Sequence, residues 1–118
     1  MSRLLWAGAA LTVILWATDT AIPFFLDVSR SAGLTDKTVF GGEKTKKYII
    51  ETTGGGVAFV DYDGDGWPDI FLVNGSRLEG FGDQVPPTNK LYRNKRDGTF
   101  EDVTKRAGLV HSGWGQGV

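Results

Sequence analysis

A ten-residue segment occurs twice in this chain, as FLDVSRSAGL at Phe25–Leu34 and as FEDVTKRAGL at Phe100–Leu109, with Phe, Asp, Val, Ala, Gly and Leu at the same six positions. An internal signature of this kind belongs to repeat architectures, in which each unit buries its apolar surface against a neighbour rather than within itself. The residues beyond the signature repeat as well. The second copy is followed by GWGQGV, ending at Val118, and the first, after a longer connection, by GGGV, ending at Val57. After Val57 the chain continues AFVDYDGDG, whereas the sequence stops at Val118, where an equivalent stretch would begin. The expectation is a piece of a longer repeat protein, with residues 110–118 opening a further, truncated unit.

Between the two copies the pattern is that of short strands. Val57 and Phe59 alternate with Ala58 and Val60 over Gly56–Asp61, as on a pleated strand. Asp69–Val73 is apolar after its first residue and predicts a strand buried on both faces. Asn89–Asn94, with Leu91 and Tyr92, and Thr99–Thr104, with Phe100 and Val103, complete the series. Lys95–Gly98 joins the last two, and its Asp97-Gly98 pair is a hairpin signal because glycine accepts the positive φ of such turns. Glycine is frequent, 17 residues against 4 prolines, which favours short elements joined by tight turns over helices. Gly54–Gly56 lacks the lysine and the helix of a phosphate loop and reads as the close-packed approach to a strand. Thr35–Thr53 reads as a polar connection, and Gly75–Thr88, with Pro86-Pro87, as a surface excursion.

The sharpest chemical feature is DYDGDGWPD, which places carboxylates at Asp61, Asp63, Asp65 and Asp69. Alternate positions of a tightly wound loop converge on one point, and converging carboxylates repel unless a cation joins them. Oxygen-only donors select calcium or magnesium over zinc or copper, and a flexible multi-carboxylate loop suits calcium's larger coordination number. Gly64 and Gly66 supply the sharp turns, and the main-chain carbonyl of Trp67 is a further candidate ligand. An EF-hand would need a glutamate at the twelfth position, which here is Leu72, inside an apolar strand. The plainer alternative is a solvated acidic turn that binds nothing, but an Asp69 set immediately before a buried strand argues against it.

The combination of GGGVAFVDYDGDGWPDIFLVNG with NKLYRNKRDGTFEDVTKRAGL and GWGQGV closely resembles the FG-GAP and VCBS-type repeats of the cartilage acidic protein group. Members of that group often end in an ASPIC/UnbV domain, of which this chain has none, and the resemblance covers nearly all of Tyr48–Val118. The aspartate-rich loop alone also resembles the calcium loops of integrin α-subunit propellers. What the resemblance implies is a β-propeller with calcium held in several blade loops, carried over here to Asp61, Asp63, Asp65, Asp69 and the Trp67 carbonyl.

The amino terminus points outside the cytoplasm: Arg3 precedes an apolar run from Leu4 to Ala17, the length of a secretory signal core and short of a bilayer span. Small residues at Ala17, Thr18, Thr20 and Ala21 offer cleavage sites without a clean small-x-small pattern, so residues 1–21 are expected to be a signal peptide or an uncleaved anchor. The net charge is only -1 and the basic residues are scattered, with Lys44, Lys46 and Lys47 too few for a nucleic-acid footprint. There is no cysteine, which excludes disulfides and thiolate metal sites. His111 is the sole histidine and has no convergent partners for base or zinc chemistry. Trp67 and Trp114 could form a sugar platform, but in repeats aromatics more often cover neighbouring sheets.

The fold expected is all-β, the N-terminal fragment of a β-propeller: about one four-stranded blade plus a ring-closing strand, preceded by a signal helix. Residues 22–53 form the first strand and connection, and 54–109 the FG-GAP/VCBS blade with its calcium loop. Phe25–Val28 duplicates the fourth strand without the three that should precede it, and is expected to close the ring on the last blade of the intact protein. In isolation it should lie loose or packed without its proper partners, and the blade should expose Ile70, Phe71 and Leu72 on at least one face. The function expected is a calcium-binding, non-catalytic scaffold that is secreted, periplasmic or at the cell surface, and that meets an extracellular protein or carbohydrate. The alternative is a fragment of an exported propeller enzyme, acting for example on polysaccharide, with its catalytic residues in other blades.

Overall fold

A computed structural model describes residues 22–118, so the expected signal helix lies outside the described residues. The architecture is all-β and almost without helix. β1 (Val57–Val60), β2 (Asp69–Leu72), β3 (Lys90–Asn94) and β4 (Phe100–Asp102) form one open antiparallel sheet in the order β1-β2-β3-β4. The four predicted strands are all present, each slightly shorter than its apolar pattern. One 3-10 turn, Ile49–Thr52, precedes them. Among the described residues, no helix is long and apolar enough to cross a membrane.

Register follows from the alternation. Ala58 faces Phe71, which faces Leu91, on one side of the sheet, while Phe59, Ile70, Tyr92 and Asp102 line up on the other. The β3–β4 hairpin closes through Lys95 N–H to the Thr99 carbonyl at 3.0 Å, with Asp97 Oδ1 accepting from Thr99 N–H at 2.9 Å. Leu91 and Tyr92 are successive residues on opposite faces and both are 1% exposed, so β3 is covered on both sides. β1, by contrast, is bare. Val57, Phe59 and Val60 are 58%, 73% and 42% exposed. This corrects the expectation for β2: Ile70 is buried, and Phe71 and Leu72 are partly so. An inner strand is screened by partners along both edges, and the missing neighbour shows as exposure on the edge strand instead.

The cover on the Tyr92 face comes from the segment that follows the first signature copy. Asp36 accepts the Tyr92 hydroxyl at 2.5 Å and pairs with Lys90 Nζ at 3.1 Å, and Lys90 also reaches Asp102 at 2.8 Å. Burial first, and then the Asp36 carboxylate, push the Tyr92 phenol well above its usual pKa, so it stays a neutral donor. The connection read as polar turns out to fold. Phe40 is buried and meets Trp114 edge to face at 6.1 Å, which makes Trp114 a packing residue. Glu51 is also buried; its carboxylate accepts backbone N–H groups from Tyr48 at 3.1 Å, Lys47 at 2.6 Å and Gly42 at 3.3 Å. Those donors hold its pKa below the ordinary value, Tyr48 and Lys47 contributing most. Asn74 ties this connection to the end of β2, accepting from Val39 N–H at 2.8 Å and donating to the Lys37 and Thr88 carbonyls.

The sequence repeat is a structural repeat. In the first copy Ala32, Gly33 and Leu34 N–H donate to the carbonyls of Val28, Arg30 and Ser29; in the second Ala107, Gly108 and Leu109 N–H donate to those of Val103, Lys105 and Thr104. Each copy opens with an Asx turn, Ser29 N–H on Asp27 and Thr104 N–H on Asp102, both at 2.9 Å. Phe25–Val28 stays outside the sheet, as expected, with Phe25 90% exposed.

Candidate metal centre

The β1–β2 connection, Asp61 to Pro68, begins where Val60 pairs with Asp69. Its shape is set by its own aspartates. Asp61 accepts Asp65 N–H on Oδ1 and Gly66 N–H on Oδ2, both at 2.9 Å, and Asp65 Oδ1 accepts Trp67 N–H at 2.9 Å. These bonds fold the loop back on its first residue, and they need positive φ at Gly64 and Gly66, observed at 71° and 84°. The result is that one carboxylate oxygen each from Asp61, Asp63 and Asp65 lie within 4.8 Å of one another. No other group of three histidine or acidic side chains converges in this way among the described residues.

Asp69 and Trp67 are placed differently. Asp69 is 1% exposed and stands outside the convergent three; its oxygens accept Tyr62 N–H at 3.0 Å and Asn94 N–H at 2.7 Å. It thereby pins the start of the loop to the end of β3. The Trp67 indole is partly exposed, and Asn94 Nδ2 donates to the next carbonyl, that of Pro68.

Two arginines, unnoticed in the sequence, complete the surroundings. Arg93 Nε meets Asp63 Oδ2 at 2.6 Å and its terminal nitrogen lies 3.3 Å from Asp65 Oδ2, which Arg96 also reaches at 2.7 Å. The Arg96 hydrogen bond first, and then Trp67 N–H, hold the Asp65 carboxyl below its ordinary 3.8. The donor set is one that could hold a hard dication, since it is made of carboxylate oxygens only and they converge, and here its charge is offset by the two guanidinium groups. The signal for the arginines was charge complementarity, since Arg93 near the end of β3 and Arg96 in the β3–β4 turn follow an acidic loop.

Residues 61–118 carry an FG-GAP-like repeat. The match begins at the first aspartate of the metal loop and runs through β2, β3, β4 and the second signature copy. The FG-GAP-like repeat therefore contains both halves of the candidate site, the loop that supplies the carboxylates and the β3–β4 hairpin that supplies the arginines. Nothing matches the chain among curated proteins or among solved structures. His111, exposed, uses only its backbone carbonyl, which accepts Asn89 N–H at 2.9 Å.

Proposed function

We propose that this chain is a calcium-binding, exported and non-catalytic repeat scaffold of the cartilage acidic protein group, which presents its loops to an extracellular protein or carbohydrate. The observation that carries the reading is the convergence of Asp61, Asp63 and Asp65 in the loop with which an FG-GAP-like repeat opens. These three carboxylates hold the ion, with the Trp67 carbonyl and Asp69 as further oxygen donors once the loop closes on it. Calcium cross-links the loop and neutralises charge that Arg93 and Arg96 otherwise offset, so its role is to fix the β1–β2 connection. Export rests on Arg3 and the apolar run Leu4–Ala17.

Titration calorimetry of the full chain tests the reading, with amide exchange of the loop as a second readout. Calcium should bind with a dissociation constant of about 0.1 to 1 mM, as in extracellular modules, and slow exchange at Asp65–Trp67. Asp65→Ala should weaken binding at least about tenfold, because it deletes one of the charged ligands. No binding heat and unchanged exchange in saturating calcium would remove the metal from the proposal.

A further inference from the structure

The oxygens of the aspartate loop divide into two groups by what they accept. Backbone N–H groups take both oxygens of Asp61 and the Oδ1 of Asp65, and these bonds give the loop its shape. Guanidinium groups take Asp63 Oδ2, from Arg93 Nε at 2.6 Å, and Asp65 Oδ2, from Arg93 at 3.3 Å and from Arg96 at 2.7 Å. The second group can therefore change partner without undoing the turn.

Neither arginine is locked in place. Both lie outside the loop, Arg93 on β3 and Arg96 in the β3–β4 turn, and their side chains are 32% and 49% exposed. Ion pairs this open to solvent are weak, so breaking them costs little. Arg93 also has a second carboxylate within reach. Glu101 stands directly opposite it in the β3–β4 register, where facing side chains lie about 5 Å apart at Cβ, and otherwise meets Arg106 at 3.9 Å. One guanidinium thus stands between Asp63 in the loop and Glu101 on β4.

We propose that Arg93 and Arg96 are an internal competitor of the metal: their guanidinium groups hold Asp63 and Asp65 until a divalent cation displaces them, and so set how much calcium the loop needs. This rests on the calcium reading given above. Asp63 and Asp65 belong to the convergent three carboxylates, so an oxygen turned to the ion is drawn away from a guanidinium. Two guanidinium charges set against the carboxylates also leave the loop a weaker attractor than its aspartates alone. On displacement Arg93 passes to Glu101 and Arg96 to solvent, so that binding at the β1–β2 loop changes the ion pairs of the β3–β4 hairpin. A merely supporting role has the opposite sign. Arginines that only braced the loop would raise its affinity for the ion, and their loss would weaken binding.

Calcium titration calorimetry tests this on the full chain and on the variants Arg96→Gln, Arg93→Gln with Arg96→Gln, and Lys95→Gln. Removing Arg96 should tighten calcium binding about two- to fivefold, and removing both arginines about tenfold, as exposed ion pairs of ordinary strength allow. Lys95 meets Asp97 rather than the loop, so its variant controls for net charge and should stay within about twofold. Proton exchange at Arg93 Nε gives a readout besides affinity. Calcium should quicken it, because the Glu101 side chain is 51% exposed and that of Asp63 only 25%. Amide exchange at Leu91 and Tyr92 checks that each variant keeps its sheet, and Arg96→Gln, in an exposed turn, carries the test if the double variant loses it. Unchanged or weaker binding without the arginines, an equal gain from Lys95→Gln, or calcium that leaves Arg93 exchange untouched overturns this inference and leaves the calcium reading standing. Absence of calcium binding in the wild-type chain and the arginine variants alike overturns both.

Discussion

Phe25–Leu34 and Phe100–Leu109 make the same set of backbone hydrogen bonds, open with the same Asx turn and reach the same left-handed conformation at Gly33 and Gly108, with φ of 83° and 71°. Their surroundings are nearly opposite. Val103 is 2% exposed and its N–H donates to the Leu91 carbonyl, whereas Val28 is 53% exposed and belongs to no sheet. The shared residues thus encode a local shape, a short strand running into a capped turn. Whether that strand is buried depends on three others lying beside it, which only the second copy has. Ten residues are enough for the turn and too few for the core.

The largest expected contrast lies at the shared valine. Val103→Ala deletes buried methyl groups and leaves a cavity against a closed packing, and should cost about 2 to 3 kcal/mol. Val28→Ala removes atoms that are already in water and should stay within about 0.5 kcal/mol. Amide exchange at Leu91 and Tyr92 reports both changes without requiring one cooperative transition. Equal effects would mean that the first copy is packed as the second is.

The shared glycine gives the next contrast, and here the order of the copies reverses. An alanine at either position pays the left-handed strain of about 1 kcal/mol or more. At Gly33 its Cβ would also sit 2.9 Å from the Phe100 carbonyl oxygen, while at Gly108 nothing is near among the described residues. Gly33→Ala should therefore cost about 2 kcal/mol and loosen β4, against about 1 kcal/mol for Gly108→Ala. Exchange at Phe100 N–H, which is bonded to Ala32, should separate the two variants most clearly.

What could be read in advance follows the same division between local shape and assembly. Alternation located β1 through β4, and Asp97-Gly98 located the hairpin, because both are short-range rules. The convergence of Asp61, Asp63 and Asp65 was legible for the same reason, being a property of one loop and its two glycines. Asp69, four residues beyond Asp65, sits at the start of β2, where its oxygens meet Tyr62 and Asn94 N–H. Arg93 and Arg96 lie about thirty residues along the chain from the aspartates they pair with, brought there by the β2–β3 register. Phe40 and Glu51 were hidden in a stretch whose average polarity masks two buried residues with specific partners.

The smallest contrast is at the shared aspartate, and it is read best against pH. Asp27 holds only Ser29, through its N–H, which lowers its pKa while the side chain stays in water. Asp102 is more crowded: partial burial raises its pKa, and this is outweighed by Lys90 Nζ at 2.8 Å and by the N–H and hydroxyl of Thr104, leaving a net lowering from 3.8. A carboxyl with a depressed folded-state pKa stabilises fully above its ordinary value and loses that contribution as pH falls through the lowered one. Acidification below about pH 4 should therefore weaken the β3–β4 pairing through Asp102. Asp102→Asn should remove that part of the acid sensitivity and cost about 1 kcal/mol or less at neutral pH, solvent screening keeping it small. Asp27→Asn should alter only the exchange of Ser29 N–H. If both substitutions flatten the acid response of β3 equally, the first copy is coupled to the sheet through more than Ala32 and Asp36, and the contrast between the copies is smaller than their burial implies.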